Sequence, residues 1–501
     1  MNGYVLAIDQ GTTGTTVLVF NHDAAVCGRG YSEVPQYYPQ PGWVEQDAEE
    51  LWQITLQVIT QALADAEISA AQLRCIGITN QRETSLLWQR STGEPVGRAI
   101  VWQDRRSADL CQQLQQEGLE PQWQSKTGLL IDPYFSATKI HWLLHQHPDL
   151  QLQAEDAKLA FGTIDSWLIW KLTGGQCHAT DYSNASRTLL YNIHQLEWDD
   201  DILTRLNIPR AILPEVKSSS GFFANTAPQS FFGQRIPICG VAGDQQAALF
   251  GQGCHSPGMA KNTYGTGSFL LMHSGQEPII STNRLLSTIA WRIGTEPVEY
   301  ALEGSIFVTG AAIQWLRDGL GIIEQASDTA TLATSIASNE DVYFVPALSG
   351  LGAPYWDPYA RGVIIGLTRG TSRNHLVRAA LEGIAYQVYD VANAMQRESG
   401  ITLQQLRADG GAVGNDFLMQ FQADMLGVEL EIPDIVQTTA LGAAYLAGLG
   451  CGFWNSRAEL AARWQLGKRY HPDMPRAQSD KLYQRWQQAI ELTRGWAHQA
   501  T

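Results

Sequence analysis

The chain has 501 residues, of which 44% are hydrophobic and 17% charged, which excludes a disordered or fibrous chain and predicts several full-sized domains. Its formal net charge is −16, from 50 acidic and 34 basic residues. That balance excludes nonspecific nucleic-acid binding, which needs a basic surface to displace counterions, but not a phosphate ligand held by backbone N–H groups and a metal ion.

The first 20 residues carry neither a basic leader segment nor a small-residue cleavage site. No apolar run reaches the roughly 18 residues of a membrane span. The expectation is a cytoplasmic protein without stable membrane insertion. Tyr4 to Ile8 is apolar and partly β-branched, Asp9 to Gly14 carries turn chemistry, and Thr15 to Phe20 is β-rich again, so a strand–turn–strand is predicted. A helix is expected from Asp47, an N-cap with Glu50 three residues on as a carboxylate capping box. Leu51, Ile54, Leu56, Val58 and Ile59 would form its apolar face. Leu73 to Thr79 reads as the next strand, so strands alternate with helices as in an α/β fold with a buried sheet.

Ile236 to Ala242 is another apolar run, Gly243-Asp244 a turn, and Gln245 to Phe250 the start of a helix. Met259 to Met272 then repeats the strand–turn–strand pattern, with Tyr264-Gly265-Thr266-Gly267 as its turn. This echo places a boundary near residue 250, giving α/β halves 1–250 and 251–501. A third glycine cluster, Asp409 to Gly414, follows a run ending at Leu406 and precedes a helical stretch from Asn415 to Leu426. A glycine turn opening a helix offers unpaired N–H groups to an anion. Cysteines at 27, 75, 111, 177, 239, 254 and 451 fit neither a disulfide framework nor a zinc ribbon and read as reduced thiols. His141 and His145 have helical metal-binding spacing, but the following His147-Pro148-Asp149 marks a helix end, and a structural role is the simpler reading.

No G-x-x-x-x-G-K-[ST] phosphate loop is present, and neither is an H-R-D or D-F-G triplet. A strand-end aspartate followed by Gly-Thr does occur. Asp9 could hold a metal ion, Gly11 could let backbone approach a phosphate, and Thr12 and Thr13 could donate to it. Alone this is only a capped turn. Two such hairpins in two α/β halves, a strand-end Asp244 before a helix and a later glycine turn together resemble the actin/hexokinase-like (ribonuclease H-like) plan, with an ATPase cleft between domains.

Longer runs carry a closer resemblance. GITNQRET (77–84), VWQDRR (101–106), TGLLIDPYFSATK (127–139), FGTIDSWLIWKLTGG (161–175), DYSNASRT (181–188), AGDQQAALFGQ (242–252), GMAKNTYGTG (258–267), LSGLGAPYWDPYARG (348–362) and TALGAAYLAGL (439–449) resemble the glycerol kinase branch of the FGGY carbohydrate kinases. The resemblance implies phosphoryl transfer from ATP with Mg²⁺ to glycerol. It assigns Arg82, Glu83, Trp102, Tyr134, Asp244, Gln245 and Phe269 to the polyol, with Asp244 as general base. It assigns Thr12, Thr13, Gly14, Thr266, Gly310, Gln314, Gly411 and Asn415 to the nucleotide, and Asp9 and Asp244 to the metal. The family often forms dimers or tetramers, so a homo-oligomer is expected.

Two departures stand out. Thr16 occupies a position that is arginine in many glycerol kinases. The loop Ala227 to Gln234 lacks both the basic glycine-rich stretch and the phosphorylatable histidine of regulated relatives, with serine in the histidine's place. Two alternatives stay open: an FGGY kinase of a pentulose or other sugar, and a noncatalytic nucleotide-dependent binding protein on the same scaffold.

Overall fold

The computed structural model describes residues 3–497. Strands β1 (Tyr4–Gln10), β2 (Gly14–Phe20) and β3 (Val26–Glu33) form an antiparallel meander, and helix α1 (Ala48–Asp65) follows. Strands β4 (Leu73–Asn80), β5 (Ser220–Asn225) and β6 (Pro237–Gly243) complete a six-stranded sheet in the order β5-β6-β4-β1-β2-β3. β1, β4 and β6 run parallel. Alternation explains the apolar runs of the central strands. Leu6 and Ile8 face a core shared with Leu51, Val58 and Ile59 of α1, while Val5 and Ala7 face a second core on the other side.

Helix α2 (Asp244–Gly251) leaves β6 directly. The second sheet begins with the hairpin β7 (Met259–Tyr264) and β8 (Ser268–Gly275), followed by β9 (Leu286–Trp291) and β10 (Glu299–Ile306). After α3 (Gly310–Gln314) and the long helix α4 (Arg373–Ser399) come β11 (Gln405–Gly410), α5 (Asp416–Leu426), β12 (Leu430–Pro433), α6 (Thr438–Gly450) and β13 (Leu466–Tyr470). The seven-stranded order is β9-β10-β8-β7-β11-β12-β13. Both sheets therefore contain an antiparallel hairpin whose first strand pairs in parallel with a later strand, β1 with β4 and β7 with β11.

Helix α6 comes late in the chain but packs on β1, β4 and β6 of the first sheet and along α2. Close approach is what makes this possible. A Cβ on Gly442 would strike the Ala247 carbonyl of α2. Between α6 and β4, the Cys451 and Cys75 sulfurs lie 3.1 Å apart, and the seven cysteines are all free thiols.

Several local expectations shift by a few residues. β1 runs through Asp9 and Gln10 rather than stopping at Ile8, because the buried Gln10 side chain accepts from Thr15 at 2.8 Å and Thr55 at 3.1 Å. β11 continues from Leu406 to Gly410, and Asn415 is the N-cap of α5 rather than its first residue. Asp47 caps α1, but Glu50 turns away from the cap and accepts from the Tyr37 hydroxyl at 2.8 Å, so the capping box is only half formed. Ile54 and Leu56 are half-buried, while Trp52 and Thr55 are buried. His141 and His145 stack at 3.9 Å, with His141 Nδ1 2.8 Å from the Leu206 carbonyl. Among the described residues no helix is long and apolar enough to cross a membrane, and no group of three or more His, Cys, Asp or Glu could hold a metal.

Candidate active site

Parallel strands end together, and loops at their carboxyl ends collect the functional side chains. Arg82 and Glu83 follow β4, and Asp244 follows β6, its immediate parallel neighbour. The register brings them into contact: Arg82 Nε lies 3.1 Å from Asp244 Oδ1. The Gln245 backbone N–H donates to the same oxygen at 2.7 Å. Arg82 Nη2 donates to the Tyr134 hydroxyl at 3.4 Å.

Aromatic rings form the wall. Trp102 meets Tyr134 edge-on at 5.4 Å and Phe269 at 6.5 Å. Trp102 Nε1 also donates to Thr12 Oγ1 at 2.8 Å, which ties this wall to the tip of the β1–β2 hairpin. Gln46 Nε2 donates to the Thr12 carbonyl at 2.7 Å and Val34 N–H to that of Thr13 at 3.0 Å. Gly14, the third residue of this group, opens β2. The first hairpin tip is thus held on three sides.

The second tip is held by α3. Gly310 N–H donates to the Gly265 carbonyl and Ala311 N–H to that of Thr266, both at 3.0 Å. A Cβ on Gly310 would lie 2.6 Å from the Gly265 carbonyl, so glycine is needed for this approach. Gln314 ends the same short helix. Gly411 begins the turn after β11 and has nothing within 4 Å of where a side chain would start. Asn415 Oδ1 accepts from Leu418 N–H at 3.0 Å, and its Nδ2 donates to Thr329 at 2.9 Å. The Asn415 side chain is therefore occupied in capping α5.

Charge accounts for the electrostatics. Burial raises the Asp9 carboxyl to about 7, and the Asp244 charge adds to the rise. Asp9 pairs across the hairpin with Thr16, so an arginine at position 16 would stand beside it. Burial also raises Asp244, against the pull of Arg82 and Lys261. Lys261 is buried, donates to Gln245 and Thr263, and is lowered by burial to about 8. Asp9 and Asp244 both offer carboxylate oxygens, the donors that suit a hard divalent cation bound together with phosphate oxygens.

Three charged residues escaped sequence reasoning. Glu303 on β10 receives both ends of the Arg82 fork, Nη2 at 3.1 Å. Burial works against its ionisation, yet Arg187 and Arg82 hold its carboxyl down to about 2. Arg187 lies within the run DYSNASRT, and Lys261 within GMAKNTYGTG. For Glu303 and Lys261 the available signal was a charge within a buried strand, since Glu and Lys are almost never fully buried without partners; Arg187 lies in a turn and carried no such signal.

Comparison with known proteins agrees with this fold. The N-terminal domain model of the FGGY family of carbohydrate kinases matches residues 4–251, and the C-terminal domain model matches residues 260–451. The glycerol kinase of Symbiobacterium thermophilum is 56% identical over 99% of both chains. That of Geobacillus kaustophilus is 55% identical over 98% of this chain and 99% of its own. A crystal structure of Plasmodium falciparum glycerol kinase with ADP superposes with a TM-score of 0.93 at 36% identity, covering 98% of each chain. A ligand-bound xylulose kinase from Lactobacillus acidophilus, 23% identical over 98% of this chain and 97% of its own, shares the fold at a TM-score of 0.88. With both domain models matched in order and relatives more than half identical along nearly the whole length, the chain belongs to the FGGY family of carbohydrate kinases.

Proposed function

We propose that this protein transfers the terminal phosphate of ATP to a terminal hydroxyl of glycerol. The observation that carries the reading is the contact of Arg82 with Asp244 beside Glu83, inside a wall of Trp102, Tyr134 and Phe269. A triol offers hydroxyls that donate and accept, and a guanidinium beside a carboxylate meets both needs. The aromatic rings pack against the carbon chain, and Lys261 holds the Gln245 side chain by donating to its carbonyl oxygen.

Asp244 takes the hydroxyl proton. Arg82 and Gln245 both address Oδ1, which leaves Oδ2 toward the attacking hydroxyl. Its position matters more than its basicity, because phosphoryl transfer relies on alignment and charge stabilisation. Thr12, Thr13 and Gly14 of the first hairpin and Thr266 of the second flank the phosphates. Gly310, Gln314, Gly411 and Asn415 line the nucleotide side. Asp9 and Asp244 would hold Mg²⁺, which neutralises charge on the phosphate oxygens when bound. The two halves, 1–250 and 251–501, present these groups from opposite sides of a cleft, with α6 reaching back onto the first sheet.

The test is product identification. Phosphorus NMR of the protein with Mg·ATP and glycerol should show ADP and a glycerol monophosphate ester accumulating in equal amounts. ADP formation without a new ester, or independent of glycerol, would refute the reading.

A further inference from the structure

Beneath the pocket lie four charged side chains in alternating order. Arg82 engages Glu303 with both ends of its fork. Glu303 Oε1 also accepts from Arg187 Nη2 at 3.0 Å, and Arg187 Nε donates to Glu83 Oε1 at 2.7 Å. All four residues are buried, and their charges sum to zero. Such a row is a poor choice for stability alone, because packed apolar side chains of the same volume would do as well or better. Its value lies in holding each member in a single orientation.

Glu83 is fixed from two directions. Its backbone sits at φ 62°, a left-handed conformation that costs a non-glycine residue energy and needs support from its surroundings. That support is visible: the Glu83 carbonyl accepts from Ser85 Oγ at 2.7 Å and Ser136 Oγ at 3.0 Å. Arg187 fixes the other end, and because it addresses Oε1, Oε2 is the oxygen left for a ligand. The Arg187 guanidinium also lies 5.6 Å from the ring centre of Tyr134, directly behind the pocket wall. Glu303 comes from the second sheet, so the Arg82 that touches Asp244 is clamped by a carboxylate from across the cleft.

We propose that Arg187 and Glu303 are positioning residues for the polyol, Arg187 orienting the Glu83 carboxylate and Glu303 orienting the Arg82 fork. This rests on the reading of Arg82 and Glu83 as glycerol ligands. Neither residue touches substrate. Arg187 needs its planar fork to reach Glu83 and Glu303 at once, a geometry that a lysine ammonium cannot reproduce.

The test compares Arg187→Met, Arg187→Lys and Glu303→Gln with the wild type, measuring kcat, KM for glycerol, KM for ATP and melting temperature on the same preparations. Arg187→Met should raise the glycerol KM by about tenfold or more while the ATP KM changes by less than about twofold. Arg187 is one of the cations that lower the Glu83 carboxyl against the cost of burial, so the Arg187→Met glycerol KM should fall with rising pH more steeply than the wild-type value does. Arg187→Lys should fall between, and Glu303→Gln should shift the glycerol KM in the same direction. These two variants carry the test if Arg187→Met does not fold. A lowered melting temperature with an unchanged glycerol KM, or equal rises in both KM values, would overturn the positioning role. A wild-type enzyme that ignores glycerol would instead overturn the reading of the pocket on which the inference rests.

Discussion

The two ends of the proposed site are built by opposite means. On the proposed polyol side, buried side chains of opposite charge interlock, and Arg82 alone reaches Asp244, Glu303, Gln246 and Tyr134. On the proposed nucleotide side, Thr13 and Thr266 are exposed, Gly411 meets nothing, and the tips are held through backbone carbonyls. The difference follows from what each ligand brings. A small uncharged triol must be recognised by dipoles and charges fixed beforehand in a desolvated pocket. A triphosphate brings its own charge and metal, so it needs backbone N–H groups and room.

Removing the proposed general base should break the contrast most severely. Asp244→Asn keeps the shape but loses the proton acceptor, so kcat should fall by at least about 10²-fold. The glycerol KM should change less, and the melting temperature should hold or rise, because Asp244 ionises against the cost of burial. A near-normal kcat with a lowered melting temperature would make Asp244 a structural cap instead.

Asp9→Asn should abolish most activity at ordinary Mg²⁺ concentrations and change stability with a definite sign. The folded carboxyl titrates near 7, against 3.8 for the ordinary group. The folded chain therefore holds a proton that the unfolded chain has lost between those values, and wild-type stability falls as pH rises across that window. The ligand-free variant should melt above the wild type at pH of about 8 and level with it near pH of about 4. Melting curves at both values check this. A variant that melts below the wild type at the higher pH would contradict it.

Smaller changes should separate the two sides. Gly310→Ala pushes a methyl toward the Gly265 carbonyl at 2.6 Å. It should raise the ATP KM several-fold through the second hairpin and leave the glycerol KM near the wild-type value. Equal effects on both would mean that the two sides are mechanically one. Thr16→Arg should act least, placing a cation beside Asp9 on the β1–β2 ladder. Its Mg²⁺ requirement and ATP KM should each move by a few-fold or less, again without change for glycerol.

Much of this was legible in the sequence. Alternating apolar strands and Gly-Thr turns located both hairpins, and Gly243-Asp244 after an apolar run placed Asp244 at a strand end. The assignment of Arg82, Glu83 and Trp102 to one pocket came from the family resemblance, because an Arg-Glu pair alone reads as a surface salt bridge. Gln10 stays in β1 because it pairs with Thr15 of β2 and Asn80 of β4, and its side chain also accepts from a threonine 45 residues away, which no local pattern encodes. Glu303 and Arg187 were missed for the same reason: their partners lie 221 and 104 residues away in Arg82 and Glu83. Glu50 failed to complete the capping box because a tyrosine hydroxyl from outside the helix competed for it.

The central claim is that the pocket is matched to glycerol, and the most direct measurement is kcat/KM for ADP formation with glycerol, xylulose, ribulose and gluconate at saturating Mg·ATP. A pocket built to pair hydroxyls discriminates strongly against ligands that leave its buried charges unmatched. Glycerol should exceed every sugar by at least about tenfold. A pentulose or gluconate that equals or surpasses glycerol would contradict the account.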